Sequence, residues 1–567
     1  MKKSWLLTAV TALTILANSF TFSFAAQCGD LNSDGSVNSI DFGMYRQYLL
    51  AYCRLDDITV ADLNGDGAAN SIDFGVFRQY LLGIIPSLPV NGTTTPTATK
   101  TATPTQTIVT TTPTPTTSGT STWESNTGTI TLGSTITYTG AGISVSGSTV
   151  NITSGGDHTV TGTLSNGMIC VNTTEKVKLR LNNASITNST GPAIYGQNAE
   201  KLFITLEKGT TNTLADGKSY SDTTLKAALF CNDDLEIKGS GTLNITGNYK
   251  HAICSDDDIN INNGVINVKS AVKDGINANG SIDITGGTLN ITASSDAIQN
   301  GSQEGITIDD GTLTLSAGDQ GIRSKTGVKV AGGITINGGT INITKSREGI
   351  SAELITINGG TTSIIASDDG TNATMGSRTE SNDGSQLIIN GGSVYASAQS
   401  GDGLDANGSI TIKGGTVVVV GPQGAPNVAL DCNGPLTVSG GTVLATGPSM
   451  QMAQYPNGSS AQYSIAVGLS SSQSANSAVC VKDSTGKVLI ITKPLRNYMN
   501  VVFSSPELQK GSTYTVCTGG TVSGGTETNG VITGGTYSGG TSTTVTVTTS
   551  PTTTVNWSSG GGGFPRW

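Results

Sequence analysis

Short runs of alternating apolar and polar residues, interrupted by paired glycines, cover most of the chain. From about residue 228 the pattern recurs with a period of roughly 20 to 25 residues. Residues 281–292 read SIDITGGTLNIT, and residues 333–344 repeat the pattern as GITINGGTINIT. Because side chains alternate between the two sides of a strand, each unit predicts two short strands joined by a tight turn at Gly-Gly.

A third element follows the strand pairs. It consists of an acidic or amide residue, then Gly or Ala, then in most copies an aliphatic residue, and it begins at Asp274, Asp296, Gln320, Glu348, Asp369 and Asp402. Three short strands per unit describe one coil of a right-handed parallel β-helix, a solenoid whose coils must stack to bury their apolar faces. The less regular residues 127–211 are expected to form the first coils. An antiparallel sandwich is the alternative fold, but it does not explain the similar offsets of the two motifs.

Stacking places equivalent residues in columns about 4.8 Å apart, where carboxylates repel one another unless cations lie between them. Carboxylate and amide oxygens without His or Cys suit calcium. The sequence therefore predicts calcium in two clusters, and in the second Asn372, Asp405 and Asp431 are expected at equivalent places. The alternative is that these residues shape turns through local hydrogen bonds. The first cluster comprises Asp233, Asp234, Asp256, Asp257, Asp258, Asp274 and Asn277, and the second comprises Glu348, Asp368, Asp369, Asn372, Asp402, Asp405 and Asp431.

Composition divides the rest of the chain. Residues 1–25 predict a signal peptide, because two lysines precede an apolar stretch that ends in small residues; a retained membrane anchor is the alternative. Residues 91–122 are almost wholly Thr, Pro and Ala and predict an extended linker. Residues 123–463 form the predicted β-helix and residues 464–518 a small C-terminal β module or cap. Residues 519–567 form a Gly/Thr-rich tail that is expected to pack poorly.

Residues 28–90 contain two near-identical copies of a twelve-residue loop, DLNSDGSVNSID and DLNGDGAANSID. Side-chain oxygen ligands for calcium fall at positions 1, 3, 5, 9 and 12 of each loop, and the residue at position 7 offers its backbone carbonyl. Glycine at position 6 permits the sharp turn of the backbone around the ion. An apolar helix is predicted after each loop, over residues 42–50 and 74–82. The predicted calcium ligands are Asp30, Asn32, Asp34, Ser36, Asn38 and Asp41 in the first loop and Asp62, Asn64, Asp66, Ala68, Asn70 and Asp73 in the second.

These copies resemble the type I dockerin of bacterial cellulosomes, through the Asp-Leu-Asn loop starts and the Arg-Gln-Tyr-Leu-Leu helix ends. The resemblance implies an extracellular protein with a pseudo-twofold surface that binds a cohesin domain of a scaffoldin. Ile40 and Ile72 depart from the Thr that many dockerins carry, which leaves the particular cohesin open. A calcium-stabilised spacer without a partner is the alternative. The family's recognition positions fall on Ser39, Ile40, Arg46, Gln47, Ser71, Ile72, Arg78 and Gln79.

Most of residues 125–545 resembles a clostridial family of carbohydrate-binding β-helix proteins that is related in fold to pectate lyases. The matching pieces are the Ile-Asn-Gly-Gly-Thr coils, SREGI at residues 346–350, DDGTN at residues 368–372 and the segment 501–515. The resemblance implies calcium sites and affinity for plant cell-wall polysaccharide, namely acid sugars such as polygalacturonate, and cellulose.

Two enzymatic alternatives remain open. A calcium-dependent polysaccharide lyase needs a Lys or Arg base, and Lys250, Lys273 and Arg347 lie beside the acidic columns, although ion pairs with those carboxylates also explain them. A glycoside hydrolase needs two opposed carboxylates, and the sequence singles out no such pair. The two histidines, His158 and His251, share no metal-ligand spacing.

Composition adds limits on partners. Aromatic residues make up 5% and charged residues 12% of the chain, and both values are low for a compact α/β enzyme. The small number of aromatic residues also argues against a flat binding surface for crystalline cellulose, because such surfaces rely on stacked rings. The net charge of −10 argues against nucleic acid and anionic membranes, and no membrane span is expected in the mature chain. Export makes disulfides possible. We expect them at Cys28–Cys53, Cys231–Cys254 and Cys480–Cys517, with buried free thiols as the alternative.

Overall fold

The computed structural model describes residues 122–557, except 303, 325–331, 377–380 and 451–452, together with scattered positions between Cys28 and Leu88. The chain divides into two compact units, Met1–Pro115 and Thr116–Trp567. The predicted signal peptide and nearly all of the predicted linker lie outside the described residues. In the described part of the chain, no helix combines the length and the apolar character needed to cross a membrane.

The first unit has one small core shared by its two sequence copies. Tyr45 and Phe77 occupy equivalent places in the two copies, both have helical backbone, and both are fully buried. Their ring centroids lie 6.3 Å apart, and the Tyr45 hydroxyl donates to the carbonyl of Ala61, 2.8 Å away. A short 3-10 helix, η1 (Ile58–Ala61), lies beside this core. The two copies therefore stabilise each other.

The second unit is a parallel β-helix, as predicted. It begins with a 3-10 helix, η2 (Thr122–Ser125), and the described residues of the solenoid then form strands β1 to β37. In chain order they are β1 Thr127–Leu132, β2 Thr137–Thr139, β3 Ile143–Ser146, β4 Thr149–Ile152, β5 Gly156–Leu164, β6 Met168–Asn172, β7 Lys176–Thr187, β8 Ile194–Asn198, β9 Lys201–Leu206, β10 Thr211–Ala215, β11 Ala227–Cys231, β12 Leu235–Gly239, β13 Thr242–Gly247, β14 His251–Ser255, β15 Ile259–Ile261, β16 Val265–Ala271, β17 Ile276–Ala278, β18 Ile282–Ile284, β19 Thr288–Thr292, β20 Ile298–Asn300, β21 Ile306–Ile308, β22 Thr312–Ser316, β23 Ile322–Ser324, β24 Ile334–Ile336, β25 Thr340–Ser346, β26 Ile350–Ala352, β27 Leu354–Ile357, β28 Thr361–Ala366, β29 Thr371–Ala373, β30 Gln386–Ile389, β31 Ser393–Ala398, β32 Leu404–Ala406, β33 Ser409–Ile412, β34 Thr416–Val420, β35 Leu430–Cys432, β36 Leu436–Val438 and β37 Thr442–Gly447.

Parallel pairing sorts the strands into three faces. The first face contains β1, β5, β7, β9, β12 and every third strand from there to β36. The second contains β7, β10 and every third strand from there to β37, and the third contains β3, β4, β6, β8, β11 and every third strand from there to β35. The hairpins β1–β2 and β3–β4 pair antiparallel at the N-terminal end. Each strand therefore stands next to the equivalent strand of the neighbouring coil.

Apolar columns fill the inside of the solenoid. On the first face Ile259, Ile282, Ile306 and Ile334 stack in register, and none is more than 1% exposed. Each fully buried aliphatic side chain contributes about 1.5–3 kcal/mol relative to an exposed one, so the columns are the main stabilising element of the solenoid. Polar residues alternate with these isoleucines and point outward, as Asp283 does between Ile282 and Ile284.

The Gly-Gly motif forms the turn between the first and second faces. Its second glycine has a positive φ, for example 78° at Gly339, a conformation that L side chains rarely adopt. A Cβ at Gly339 would also press on the backbone of Gly311 in the preceding coil. Coil length varies more than the predicted period, from 19 residues between the paired Thr149 and Met168 to 35 between Ile194 and Leu229. It reaches 33 between Thr371 and Leu404, where a long connection separates β29 from β30.

A C-terminal module follows the last coil. Strand β41 of this module pairs antiparallel with β37, the last strand of the second face. The sheet of the second face therefore continues into the module, and the edge of β37 is not left open. Strands β39, β40, β42 and β47 form a separate four-stranded sheet. The strands of this part are β38 Ser464–Gln473, β39 Val479–Asp483, β40 Val488–Thr492, β41 Tyr498–Ser504, β42 Thr513–Thr518, β43 Thr521–Ser523, β44 Thr526–Thr528, β45 Val531–Thr533, β46 Thr536–Ser538, β47 Thr541–Thr546 and β48 Thr552–Val555.

The expectation of a poorly packed tail is wrong for residues 519–557. Strands β43–β46 and β44–β45 pair antiparallel, and β48 pairs with β38. At the tip of this tail hairpin, the Asn529 amide donates to the carbonyl of Thr362 and to the carbonyl and hydroxyl of Ser393, at 2.9–3.2 Å. The Gly-Gly-Thr repeats therefore form turns and strands that return to the second face.

The expected disulfides are absent from the described cysteines. Cys231 and Cys254 are free and lie one residue out of register on neighbouring strands, because Cys254 pairs with Phe230. A one-residue offset turns the side chains to opposite sides of the sheet. Cys480 and Cys517 do face each other across β39 and β42, yet both are free thiols. Cys28 is also free, and Cys53 lies outside the described residues.

Candidate calcium and carbohydrate sites

A ladder of buried or half-buried polar side chains precedes the third face. Asp274, Asp296, Gln320, Glu348, Asp369 and Asp402 begin the third element of successive coils. The Asp296 carboxylate accepts from the backbone amide of Gln320 at 2.8 Å, and Asp369 accepts in the same way from Asp402 at 2.7 Å. These carboxylates therefore bind the backbone of the next coil as well as defining the edge of the acidic clusters.

Cluster 1 consists of Glu348, Asp368 and Asp369, each with a carboxylate oxygen within 4.8 Å of the others. Burial raises the pKa of Asp369 to about 7, and the charges of Asp368 and Glu348 add to the rise. Asn372 adjoins this cluster: its amide donates to the Oδ2 of Asp369 at 3.4 Å, and its Oδ1 is buried without a hydrogen-bond partner among the described residues. The sequence predicted all four of these residues as one group, and the structure brings them together.

Cluster 2 consists of Asp402, Asp405 and Asp431, whose oxygens also lie within 4.8 Å of one another. Asn372, Asp405 and Asp431 pair in register on β29, β32 and β35, so their predicted equivalence is confirmed. The amide of Gln454 donates to Asp431. Sequence reasoning missed Gln454, because it follows the last coil and belongs to no repeat.

Cluster 3 contains part of the first predicted cluster, namely Asp234, Asp257 and Asp258. Burial raises the pKa of Asp234; the charge of Lys201 opposes this rise, and the charges of Asp258 and Asp257 add to it. Glu304 was missed by the sequence analysis. Burial raises its pKa, and the charge of Asp258 adds to the rise, which places Glu304 beside this cluster.

The structure separates the other members of the first predicted cluster. Asp256 forms an ion pair with Lys226, and Asp233 accepts from the backbone amide of Ala199 at 2.9 Å. Asp274 belongs to the ladder described above. Burial disfavours its charged form, but His251, whose Nδ1 lies 3.1 Å from the Oδ2 of Asp274, lowers the pKa of Asp274 overall. Asn277 donates to Asp274 at 2.9 Å. Protein partners therefore satisfy these groups, in line with the turn-shaping alternative.

The donor sets fit calcium. Each cluster combines three carboxylates without His or Cys, and a hard cation prefers such ligands. The orphaned Asn372 oxygen is the type of acceptor that a cation satisfies, and leaving it buried without a partner costs about 1–3 kcal/mol. Cluster 1 is therefore the best-formed candidate.

The three candidate bases have different surroundings. Lys250 donates to the carbonyl of Thr223 at 3.4 Å, and the side chain of Lys273 is exposed. Arg347 lies at cluster 1: its Nη1 is 2.6 Å from Glu348 and 3.2 Å from Asp368, and its Nε is 2.6 Å from Asp319. Burial opposes the charge on Arg347, but these carboxylates outweigh it and raise its pKa. Arg347 is therefore held protonated, which disfavours a role as a base.

The dockerin-like unit shows the first and last ligand positions of each loop. Asp41 accepts from the backbone amide of Leu31 at 2.8 Å, and Asp73 accepts from that of Leu63 at 3.0 Å. Both aspartates are fully buried, and the equivalent bonds close the two loops in the same way. Asp30 and Asp62 are the described first positions. The remaining predicted loop ligands and all eight predicted cohesin-binding residues lie outside the described residues.

Comparisons with known proteins agree with this division. Residues 28–82 match the model of the dockerin type I domain, and residues 146–333 and 301–425 match a model described as carbohydrate-binding domain-containing protein. Residues 28–82 are therefore similar to a type I dockerin, and residues 146–425 are similar to a family of carbohydrate-binding proteins. Type I dockerins generally bind calcium and pair with cohesin domains.

A relative and a solved structure can be named. A carbohydrate-binding domain-containing protein from Acetivibrio thermocellus is 35% identical over 119 residues, which are 20% of this chain. The match spans 42% of that relative's length. A polysaccharide lyase-like protein from C. thermocellum, solved as a gadolinium derivative, is 24% identical. The match covers 55% of this chain and 97% of that one with a TM-score of 0.32, too low to bear on function.

Proposed function

We propose that this chain is a secreted, extracellular component of a cellulosome. In this proposal the calcium-bound dockerin attaches it to a scaffoldin cohesin, and calcium ions on the β-helix bind acid sugars of the plant cell wall such as polygalacturonate. The observation that carries the second part is cluster 1, where three carboxylates converge beside the unpartnered oxygen of Asn372.

Electrostatics favours a cation in cluster 1. Two unit charges 4.8 Å apart repel by roughly 3 kcal/mol at an effective dielectric constant of about 20. Protonation of Asp369 relieves this repulsion in the absence of metal, as its raised pKa indicates. A calcium ion relieves it at neutral pH without protonation. Cluster 2 lies on the next coils, which allows two ions to sit in succession along the solenoid.

Calcium also accounts for the affinity of an acidic protein for an acidic polymer. The ion accepts six to eight oxygen ligands, and cluster 1 offers three carboxylates and one amide. A uronate carboxylate can fill the remaining positions and so bridge the chain to polygalacturonate. Cellulose, which the family resemblance also implies, has less support. Among the described residues, the exposed large hydrophobic side chains include a single aromatic one, Tyr138.

A calcium-dependent lyase is the second candidate function, because Arg347 contacts two carboxylates of cluster 1. Its raised pKa favours a role in binding over one in abstracting a proton. Lys250 and Lys273 remain candidates, although the base of a lyase must reach the C5 proton of a uronate that is bound at the ion.

One experiment separates binding from catalysis. Wild-type protein, Asp369→Asn and Arg347→Gln are titrated with polygalacturonate in calcium and in EDTA, and ultraviolet absorbance follows unsaturated product. We expect wild-type binding in calcium only, weaker binding by Asp369→Asn, and no product. Product formation that Arg347→Gln, Lys250→Ala or Lys273→Ala abolishes would establish the lyase instead. Equal polymer binding in EDTA would refute the calcium-bridged site.

A further inference from the structure

A groove runs along the outer side of the second face. It encloses about 380 Å³ across β16, β19, β22 and β25. Three steps of about 4.8 Å give it a length of roughly 14 Å along the solenoid axis. Its floor carries Asn267, Asn290 and Thr314 in register, one from each of three successive coils.

The floor amides are held in a fixed orientation. Asn267 donates to the side-chain oxygen of Asn244 at 3.1 Å, and Asn290 donates to that of Asn267 at 2.9 Å. An amide has two N–H donors and two acceptor lone pairs, so the ladder leaves Asn267 with one donor and one acceptor. Asn290 is exposed, which makes its remaining groups accessible. The floor therefore offers paired donors and acceptors at the spacing of the coils.

The rim is polar and almost uncharged. A β-bulge after Ile343 shifts the register of β25 against both of its neighbours, β22 and β28, and Thr344 donates to the carbonyl of Leu315 at 3.0 Å. Among the nine lining residues Lys269 is the one charged side chain, and none is a carboxylate. The groove thus lacks the acidic ligands that hold calcium and has one cation to hold a uronate.

Further along the same face the open strip ends. The column of Asn290, Thr314 and Asn342 continues through Ser363 to Tyr395. The ring of Tyr395 is buried, and the tail hairpin covers this part of the face, with Gly530 against the ring. The hairpin therefore sets the C-terminal limit of the surface available to a ligand.

We propose that this groove binds a single uncharged polysaccharide chain lying along the solenoid axis. Sugar hydroxyls both donate and accept hydrogen bonds, and the fixed amides and rim hydroxyls match that chemistry. An acid sugar would find one cation and no calcium ligands there. The site goes beyond the calcium-dependent function proposed above and is independent of it: one β-helix would hold neutral chains on its second face and acidic chains at its clusters.

Calorimetric titration in EDTA with cellohexaose and with a neutral β-1,4-galactan hexaose tests the groove. The variants are Asn267→Ala/Asn290→Ala, which removes the amides, and Thr314→Arg, which fills the floor. Asn358→Ala is the matched control, because Asn358 lies in an equivalent amide ladder, between Asn337 and Asn390, outside the groove. We expect binding of at least one oligosaccharide, a loss of at least tenfold in both groove variants, and no change in the control.

Several results would overturn the assignment: no binding of either oligosaccharide by the wild type, unchanged affinity in both groove variants, or an equal loss in Asn358→Ala. Polygalacturonate binding in calcium is measured on the same proteins. The groove variants should retain it, whereas Asp369→Asn should bind polygalacturonate more weakly and retain oligosaccharide binding. Failure of the groove and failure of the calcium sites are therefore distinguishable.

Discussion

The carboxylate of Asp369 accepts a hydrogen bond of 2.7 Å from the backbone amide of Asp402, one coil further along the solenoid. This bond joins the two best-formed acidic clusters, because Asp369 belongs to cluster 1 and Asp402 to cluster 2. It also fixes the Asp369 carboxylate in a buried position, where its charge is costly without a cation. Metal binding and the stability of these coils should therefore be coupled.

Asp369→Asn should raise the stability of the calcium-free protein near pH 7.5 and reduce its stabilisation by calcium. The amide oxygen can still accept from Asp402, while the repulsion by Glu348 and Asp368 disappears. Thermal unfolding with and without calcium measures both effects. Asp309→Asn, at an exposed turn position outside the clusters, should behave like the wild type. An undiminished calcium-induced shift in Asp369→Asn would contradict a metal site in cluster 1.

The calcium-free protein should lose stability as the pH rises from about 4 to about 7. The folded pKa of Asp369, about 7, is raised above its ordinary value of 3.8, so the folded state binds more protons than the unfolded state in this window. Stability is then highest at the acidic end and falls as Asp369 ionises. Urea unfolding in EDTA across this range measures the slope. Asp369→Asn should flatten it, and an identical slope in this variant would refute the assignment.

A second pH dependence of opposite sign should come from His158. Its side chain is fully buried in the first coils, and neither ring nitrogen has a hydrogen-bond partner among the described residues. Burial lowers the pKa of His158, so the unfolded state binds the proton more readily. Stability should therefore fall as the pH drops below about 6.5. His158→Leu should remove this component of urea unfolding measured between pH 5 and pH 7, and His251→Leu should leave it in place.

The repeat motifs predicted the solenoid because each performs a local task. The Gly-Gly pair supplies the positive φ of the turn at Gly339, and the alternation around Asp283 places isoleucines inside. The register of Asn372 with Asp405 could be predicted although 33 residues separate them, because each stands three residues after the start of the third element, at Asp369 and Asp402. Asp256 could not be assigned in this way. Its partner Lys226 lies in the connection between β10 and β11, which the repeat pattern does not describe.

Each aspartate at position 12 of the dockerin loops should be equally necessary for docking. Asp41→Ala leaves the buried amide of Leu31 without its acceptor, at a cost of about 1–3 kcal/mol, and Asp73→Ala does the same to Leu63. The shared core should spread either loss to both loops. Far-ultraviolet circular dichroism and capture by a cohesin domain in calcium test the pair. Normal capture by either single variant would argue against this coupling, and Asp369→Asn should be captured normally.

Gly530→Ala should release the tail hairpin from the second face. Gly530 has a φ of 78°, and a Cβ there would overlap the Tyr395 ring. Gly524→Ala is the matched control: its φ of 65° imposes a similar backbone cost, about 1–2 kcal/mol, but nothing lies within 4 Å of the added Cβ. Limited proteolysis of residues 519–540 should accelerate strongly in Gly530→Ala and weakly in Gly524→Ala. Equal cleavage rates in the two variants would mean that contact with Tyr395 does not hold the hairpin in place.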